Sequence, residues 1–243
     1  LNAFIILFLL LVILHVMADF YFQPASWVRD KNDNKRKSHK LYIHSAIQAL
    51  VSCIPVLFIT TDWRSISCML IIIGVSHCLI DLAKTYLGKN LRYFILDQIL
   101  HVAVLFGIAL HISQLELPLS AMKDIIFTKS TLAIALAYIV IFKPTSVIIG
   151  SILSKYTPDS NEENEGLISG GVIIGYLERT LILTFTIAGQ FSVIGFVLAA
   201  KSIFRFGELN NAKNHKLTEY VLLGSLLSVV ITSIIGLAVK NFI

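Results

Sequence analysis

His15 and Asp19 stand one helical turn apart near the end of the apolar run LLLVILHVMADFYFQ, and the same two residue types recur twice more at that spacing. GVSHCLIDLAK carries His77 and Asp81, and FILDQILHVAV carries Asp97 and His101 in the reverse order. With seven histidines and eight aspartates in 243 residues, chance places less than one such pair. Residues four apart share one face of a helix, about 6 Å apart along its axis. Three imidazoles with carboxylates beside them suit a divalent cation. Zinc at a hydrolytic site takes three protein ligands and a water, whose pKa falls to about 7. The absence of cysteine ligands leaves manganese or iron open too. Carboxylates one turn away would ligate a second metal, act as general base or hold the imidazole tautomers. Two other uses of the same residues stay open: a proton or ion pathway, and plain helix-packing hydrogen bonds.

These groups must be positioned by elements that live in lipid. The chain is 56% hydrophobic and 14% charged, with a mean hydropathy of +0.79, where a soluble domain carries about 25% charged residues. Its apolar residues cluster in runs long enough to cross a bilayer, which takes about 20 residues per helix. Hydropathy places spans at 1–22, 41–60, 65–86, 91–112, 125–142, 167–188, 190–206 and 217–240. The fifth runs into IFKPTSVIIGSILSK, where Lys143-Pro144 either kinks the helix or ends it. The seventh is short and is either complete or re-entrant. The expected architecture is an all-α polytopic transmembrane bundle of seven or eight spans. It reads as one integrated membrane domain: a four-helix His/Asp bundle over 1–112, the fifth span and an acidic loop over 113–165, and C-terminal helices over 166–243.

No basic residue precedes the first apolar run, so that run is expected to stay as a span and not to be cleaved as a leader. Cys53, Cys68 and Cys78 show no CxxC spacing and read as small core residues. The net charge of +5 sits in loops, which argues against a nucleic-acid partner.

Orientation follows from lysine and arginine in the short loops. Fifteen of the twenty fall in the segments 29–40, 84–92, 143–155 and 201–216, all on one side of the expected topology. That side is cytoplasmic, so the N-terminus is outside. The first and third spans then run inward and the fourth outward, and the reversed order in the fourth puts every Asp nearer the cytoplasm. A layer of His15, His77 and His101 is expected beneath a layer of Asp19, Asp81 and Asp97. His44, early in the second span, falls near the carboxylates, with Gln48 one turn deeper.

Other residues are less decisive. Lys84 is expected to snorkel to the headgroups in preference to facing the site. Trp27 reads as an interface anchor, Gln23 follows the first span, and His39, His111 and His215 lie away from the cluster. PDSNEENEG reads as a solvated loop, with a lid as the alternative. In GGVIIGYLERTLIL, Gly171 and Gly175 offer a small-residue face for helix approach or self-association. Glu178 and Arg179 fall inside the sixth span, where Lys201 or Arg205 is expected to pair with Glu178, unless Glu178 faces the His/Asp cavity in a catalytic role.

HVMADFYFQPASW, His44, HCLIDLAK and DQILH, followed by GYLERTLIL, AAKSIFRF and EY, resemble a bacterial integral-membrane family known as domain of unknown function 3307. The His/Asp-bearing half is also similar in style to membrane-bound metal-dependent hydrolases, and in architecture to seven-span lipid hydrolases with a cytoplasm-facing zinc site. The resulting expectation is hydrolysis of an amphiphilic or lipid-linked substrate. His15, His77 and His101 would be metal ligands, Asp81 and Asp97 ligands or general base, and Asp19 and His44 ligands or their supports. The alternatives are a proton- or metal-ion-coupled transporter or channel, and a non-catalytic membrane subunit with a structural polar core.

Overall fold

Helices here begin where a polar residue can satisfy the first free amides and stop where the chain must turn. The computed structural model describes residues 2–58, 62–88, 90–113, 128–154, 156, 165–206 and 215–243. The helices are α1 (Asn2–Phe20), α2 (Ala25–Asn34), α3 (His39–Leu57), α4 (Trp63–Leu87), α5 (Leu91–Ser113), α6 (Lys129–Ile141), α7 (Lys143–Leu153), α8 (Glu165–Ile187), α9 (Phe191–Phe206) and α10 (His215–Phe242). A 3-10 turn, Lys35–Lys37, joins α2 to α3, and there is no strand among the described residues. The Ser38 hydroxyl accepts from the Leu41 amide at 3.3 Å to open α3, and the Asp62 carboxylate accepts from the Arg64 and Ser65 amides at 3.2 Å to open α4. Gly88, at φ +94°, ends α4 in a conformation that needs glycine.

Among the described residues five stretches are long and apolar enough to cross a membrane: His39–Leu57, Trp63–Leu87, Leu91–Ile112, Lys129–Leu153 and Glu219–Phe242. The bent pair Phe4–Phe20 and Ala25–Lys37 makes six if it counts as one broken span. Side chains such as Leu50, Ile71, Leu79, Ile99 and Phe106 turn outward from their helices. A helix apolar on its outer face belongs in lipid, and the chain is a helical membrane protein.

Lys143-Pro144 kinks the fifth stretch without ending it. The break is confined to Phe142 (φ −83°, ψ −103°), and Pro144 falls in the first turn of α7, where a missing amide costs no hydrogen bond. The Thr145 hydroxyl donates to the Val140 carbonyl at 2.8 Å across the break.

The chain divides into two compact units, Leu1–Leu136 and Ala137–Ile243. In the first, α1 packs on α3 and α5, and α4 packs on both α3 and α5, which closes a four-helix ring. Neighbours around the ring run antiparallel. Phe8 meets Phe106 at 5.5 Å and Phe20 meets Phe94 at 6.1 Å along α1 and α5, and Gly74 of α4 sits against Ala49 of α3 below the level where His77 meets His44. Helix α2 turns 79° away from α1 and packs on α3 and α4.

In the second unit, α8 packs on α10 and α9, and α7 on α10. Arg179 lies against Ser228 and Thr186 against Gly236, so α8 and α10 run in the same direction. Gly236 makes that approach possible, because a Cβ there would stand 2.7 Å from Thr186 Cγ2.

Candidate functional site

Alternating helix direction in the ring brings all three aspartates to one end and the histidines a turn further in. His15, His44, His77, His101, Asp81 and Asp97 are all buried, and the Asp19 side chain is 10% exposed. The rings of His15, His77 and His101 form a triangle with centroid separations of 5.6, 5.0 and 4.1 Å. His44 adds a fourth ring 4.9 Å from His77.

Asp19 is the hub. It accepts from His44 Nε2 at 3.0 Å, from Gln48 Nε2 at 2.5 Å and from Gln98 Nε2 at 3.2 Å. His15 Nε2 and His77 Nε2 stand 3.7 and 3.6 Å from its oxygens. Asp81 and Asp97 each take an ammonium instead. Lys31 of α2 donates to Asp81 Oδ2, and Lys84 of α4 donates to Asp97 Oδ2 at 2.5 Å. Gln98 also donates to Asp97 Oδ2 at 3.0 Å, linking the two halves of the cluster.

What the cluster leaves unpaired is as informative. Among the described residues the buried Nε2 atoms of His15, His77 and His101 find no hydrogen-bond partner, and neither does Asp97 Oδ1. Buried polar atoms are rarely left so. His101 Nδ1 lies 2.8 Å from the Asp97 carbonyl oxygen, which can only accept. In the neutral ring Nε2 then carries the lone pair, the tautomer used by metal-binding histidines whose other nitrogen donates to a carbonyl. Candidate ligand atoms lie within 4.8 Å of one another in three sets: His15, Asp19 and His77; His44, His77 and Asp81; Asp81, Asp97 and His101. His77 and Asp81 each belong to two of these sets, so the sets adjoin; among the described residues His15, His77 and His101 do not by themselves form such a set.

Lys84 corrects the expectation drawn from its position. Its ammonium turns to Asp97 and lies 5.0 Å from the Phe94 ring, in place of reaching for the headgroups. A desolvated carboxylate within reach outweighs a few extra water contacts. Residues 29–40, read as a basic loop, are for the most part α2 and a 3-10 turn. Lys31, counted there as a loop charge, is buried at the centre.

Sequence reasoning missed Lys31 and Gln98. The one signal for Lys31 is Pro24, which starts a helix straight after a turn; Gln98 is a polar neighbour of Asp97 inside an apolar span. Trp27 lies in α2 with the Lys40 ammonium 5.2 Å over its ring. His39 and His111 are exposed and take no part. Gln23 lies between α1 and α2 with its buried Nε2 unpaired.

Glu178 belongs to the second unit, where it accepts from Lys201 Nζ at 2.6 Å. Lys201 also donates to Ser225 Oγ at 2.8 Å. The acidic stretch 158–166 (in most of its length), the Arg205 side chain and the His215 side chain lie outside the described residues. Gly175 is covered by the guanidinium of Arg179, 3.5 Å from where its Cβ would be, and Gly171 faces open space.

Fold and site together define a helical membrane protein with a histidine–aspartate centre buried in a four-helix ring. The model of a family of proteins of unknown function, DUF3307, matches residues 6–133, more than half of the sequence, and the chain belongs to that family. The matched segment holds every member of the His/Asp cluster; the GYLERTLIL stretch lies beyond it. No curated protein and no solved structure gives a significant match.

Proposed function

We propose that this chain is an intramembrane metal-dependent hydrolase acting on an amphiphilic or lipid-linked substrate at the cytoplasmic leaflet of a bacterial inner membrane. The observation that carries the metal is the triangle of buried imidazoles whose Nε2 atoms have no partner. His15, His77 and His101 would hold the ion, zinc first and manganese or iron as alternatives, with Asp19 and His44 as a further ligand and its support. A divalent metal in such a setting supplies an acidified water and polarises the bond to be cut. Asp97 Oδ1, with no other partner, would receive the proton from that water, while Lys84 fixes the second oxygen. Asp81, held by Lys31, would complete the ligand set or share the base role.

The basic residues on α2 and the 3-10 turn lie at the carboxylate end of the ring, which supports the cytoplasmic side for the site and an outside N-terminus. Since α8 and α10 run in the same direction, the chain between them must return across the full length. This supports α9 as a complete crossing and eight spans in all. An apolar groove on the outer seam of α3 and α4, lined by Leu70, Ile71, Val75 and Leu79, runs beside the level of His44 and His77 and supports an acyl-bearing substrate. Gly171, with open space before it, supports self-association through α8.

Metal content by mass spectrometry on detergent-purified protein tests the reading. Near-stoichiometric metal in the wild type and loss in folded His77→Ala and Asp97→Ala is the expected result. Folded wild type that carries no metal after chelator-free purification overturns it.

One observation favours a second reading. Lys84, Asp97, Gln98, Asp19 and His44 form a continuous hydrogen-bonded chain, which suits proton or ion movement. A gradient-driven flux in liposomes, abolished by Asp19→Asn, would establish that reading over hydrolysis.

A further inference from the structure

The second unit buries a cation that the His/Asp centre does not use. Arg179 is 4% exposed, eight residues before the end of α8. Its Nη2 donates to Ser146 Oγ at 2.8 Å and its Nη1 to Ser228 Oγ at 3.3 Å. The guanidinium carbon lies 5.2 Å from the Tyr176 ring centroid, and Nε is buried with no acceptor. The adjacent carboxylate, Glu178, is held by Lys201. Among the described residues no carboxylate makes an ion pair with Arg179.

A guanidinium keeps its proton in proteins, so it cannot escape desolvation by becoming neutral as a lysine can. Hydroxyl dipoles alone compensate a buried charge poorly, and cations inside spans normally find an anion or a water-filled cavity. The surroundings already have the parts an anion needs. Nε is an unused donor. The Ser228 hydroxyl, which accepts from Nη1, keeps its own proton to give. Thr232, one turn further along the same face of α10, is fully buried with its hydroxyl unpartnered.

We propose that Arg179, with Ser228 and Thr232, forms a binding site for one small inorganic anion of halide size within the second unit. Close neighbours favour a small ion: the Tyr176 ring, the Ser146 and Ser228 hydroxyls and the Gly175 backbone already lie against the guanidinium and leave its buried Nε unused. Depth decides against a lipid phosphate, because Arg179 lies about 12 Å inside the nearer end of α8 at 1.5 Å per residue. This site is independent of the metal reading, since it uses none of the same residues.

The test is equilibrium dialysis of radiolabelled chloride against the full chain in detergent and chloride-free gluconate buffer. Saturable binding of one chloride per chain is expected, displaced by bromide and not by inorganic phosphate. Arg179→Gln should abolish it and Arg179→Lys should retain a weaker form. Ser228→Ala, a smaller change to the packing, should weaken binding by about tenfold or more, the worth of one hydrogen bond to a charged group. Absence of saturable chloride binding in folded wild type overturns the proposal, as does undiminished binding in folded Arg179→Gln or preference for phosphate over chloride.

Discussion

The two units bury polar groups in opposite ways. The first gathers three carboxylates and meets them with two ammoniums, Lys31 and Lys84, leaving Asp19 to neutral donors and imidazoles. The second pairs the Glu178 carboxylate with Lys201 and leaves Arg179 to serine hydroxyls and the Tyr176 ring. Among the described residues the first centre holds a carboxylate with no lysine of its own and the second a guanidinium with no carboxylate. A buried centre whose charges balance holds helices together, whereas one whose charges do not balance favours a ligand of the missing sign, and both proposed sites rest on that difference.

The largest effect that bears on this contrast is expected at Asp81. Asp81→Leu strands Lys31 without its partner, and breaking a buried pair on one side costs about 3–5 kcal/mol. Melting of the purified protein in detergent should fall steeply, and the double change Asp81→Leu with Lys31→Met should recover most of the loss. Recovery that fails would show that Lys31 is held by packing and not by charge.

Next come two glycines, one in each unit. Gly236→Ala drives a Cβ to 2.7–2.8 Å from the stiff, β-branched Thr186, an overpacking that costs about 1–3 kcal/mol. Gly74→Ala in the first unit meets Ala49 Cβ at 3.5 Å, an ordinary contact, and should be neutral or slightly stabilising because alanine favours helix. The pair of melting temperatures separates a unit whose helices touch backbone to side chain from one with room to spare.

Glu178→Gln should cost about 1 kcal/mol, less than Asp81→Leu, because Lys201 is 27% exposed and water can replace the lost partner. The smallest effect is expected at Asp62, outside the spans. The hydrogen bond from the Ser65 hydroxyl, and then those from the Arg64 and Ser65 amides, hold its carboxyl below the usual carboxylate range. A lowered folded value means the contribution is present above the unfolded pKa near 4 and disappears as pH falls through the folded value. Wild type should therefore lose slightly more stability than Asp62→Asn between about pH 5 and 3.

Helical class and membrane character were legible in the sequence because each rests on local composition. The three i,i+4 pairs were visible for the same reason: a fixed helical period and a reversed order in one span are enough to place six side chains in two adjoining layers at one end of the ring. Lys31 was not legible, since its burial depends on a 79° turn around Pro24 that no periodicity encodes. Lys84 was visible but misplaced, because snorkelling and inward pairing look identical until the position of Asp97 is known. Glu178 and Lys201 were readable as partners from depth alone. Arg179 was visible as a charge in a span, but that no described carboxylate pairs with it emerges only from the way α8 and α10 run together.

The way α2 folds back has a consequence for reactivity. A lysine amine sealed at the end of the ring is out of reach of water-borne acylating reagents while α2 stays docked. Lys37, a few residues on and exposed, is open to them throughout. The ratio of labelling rates at the two amines thus measures how often α2 lifts from the ring, and converts a bend in the backbone into an opening equilibrium that can be followed in intact cells.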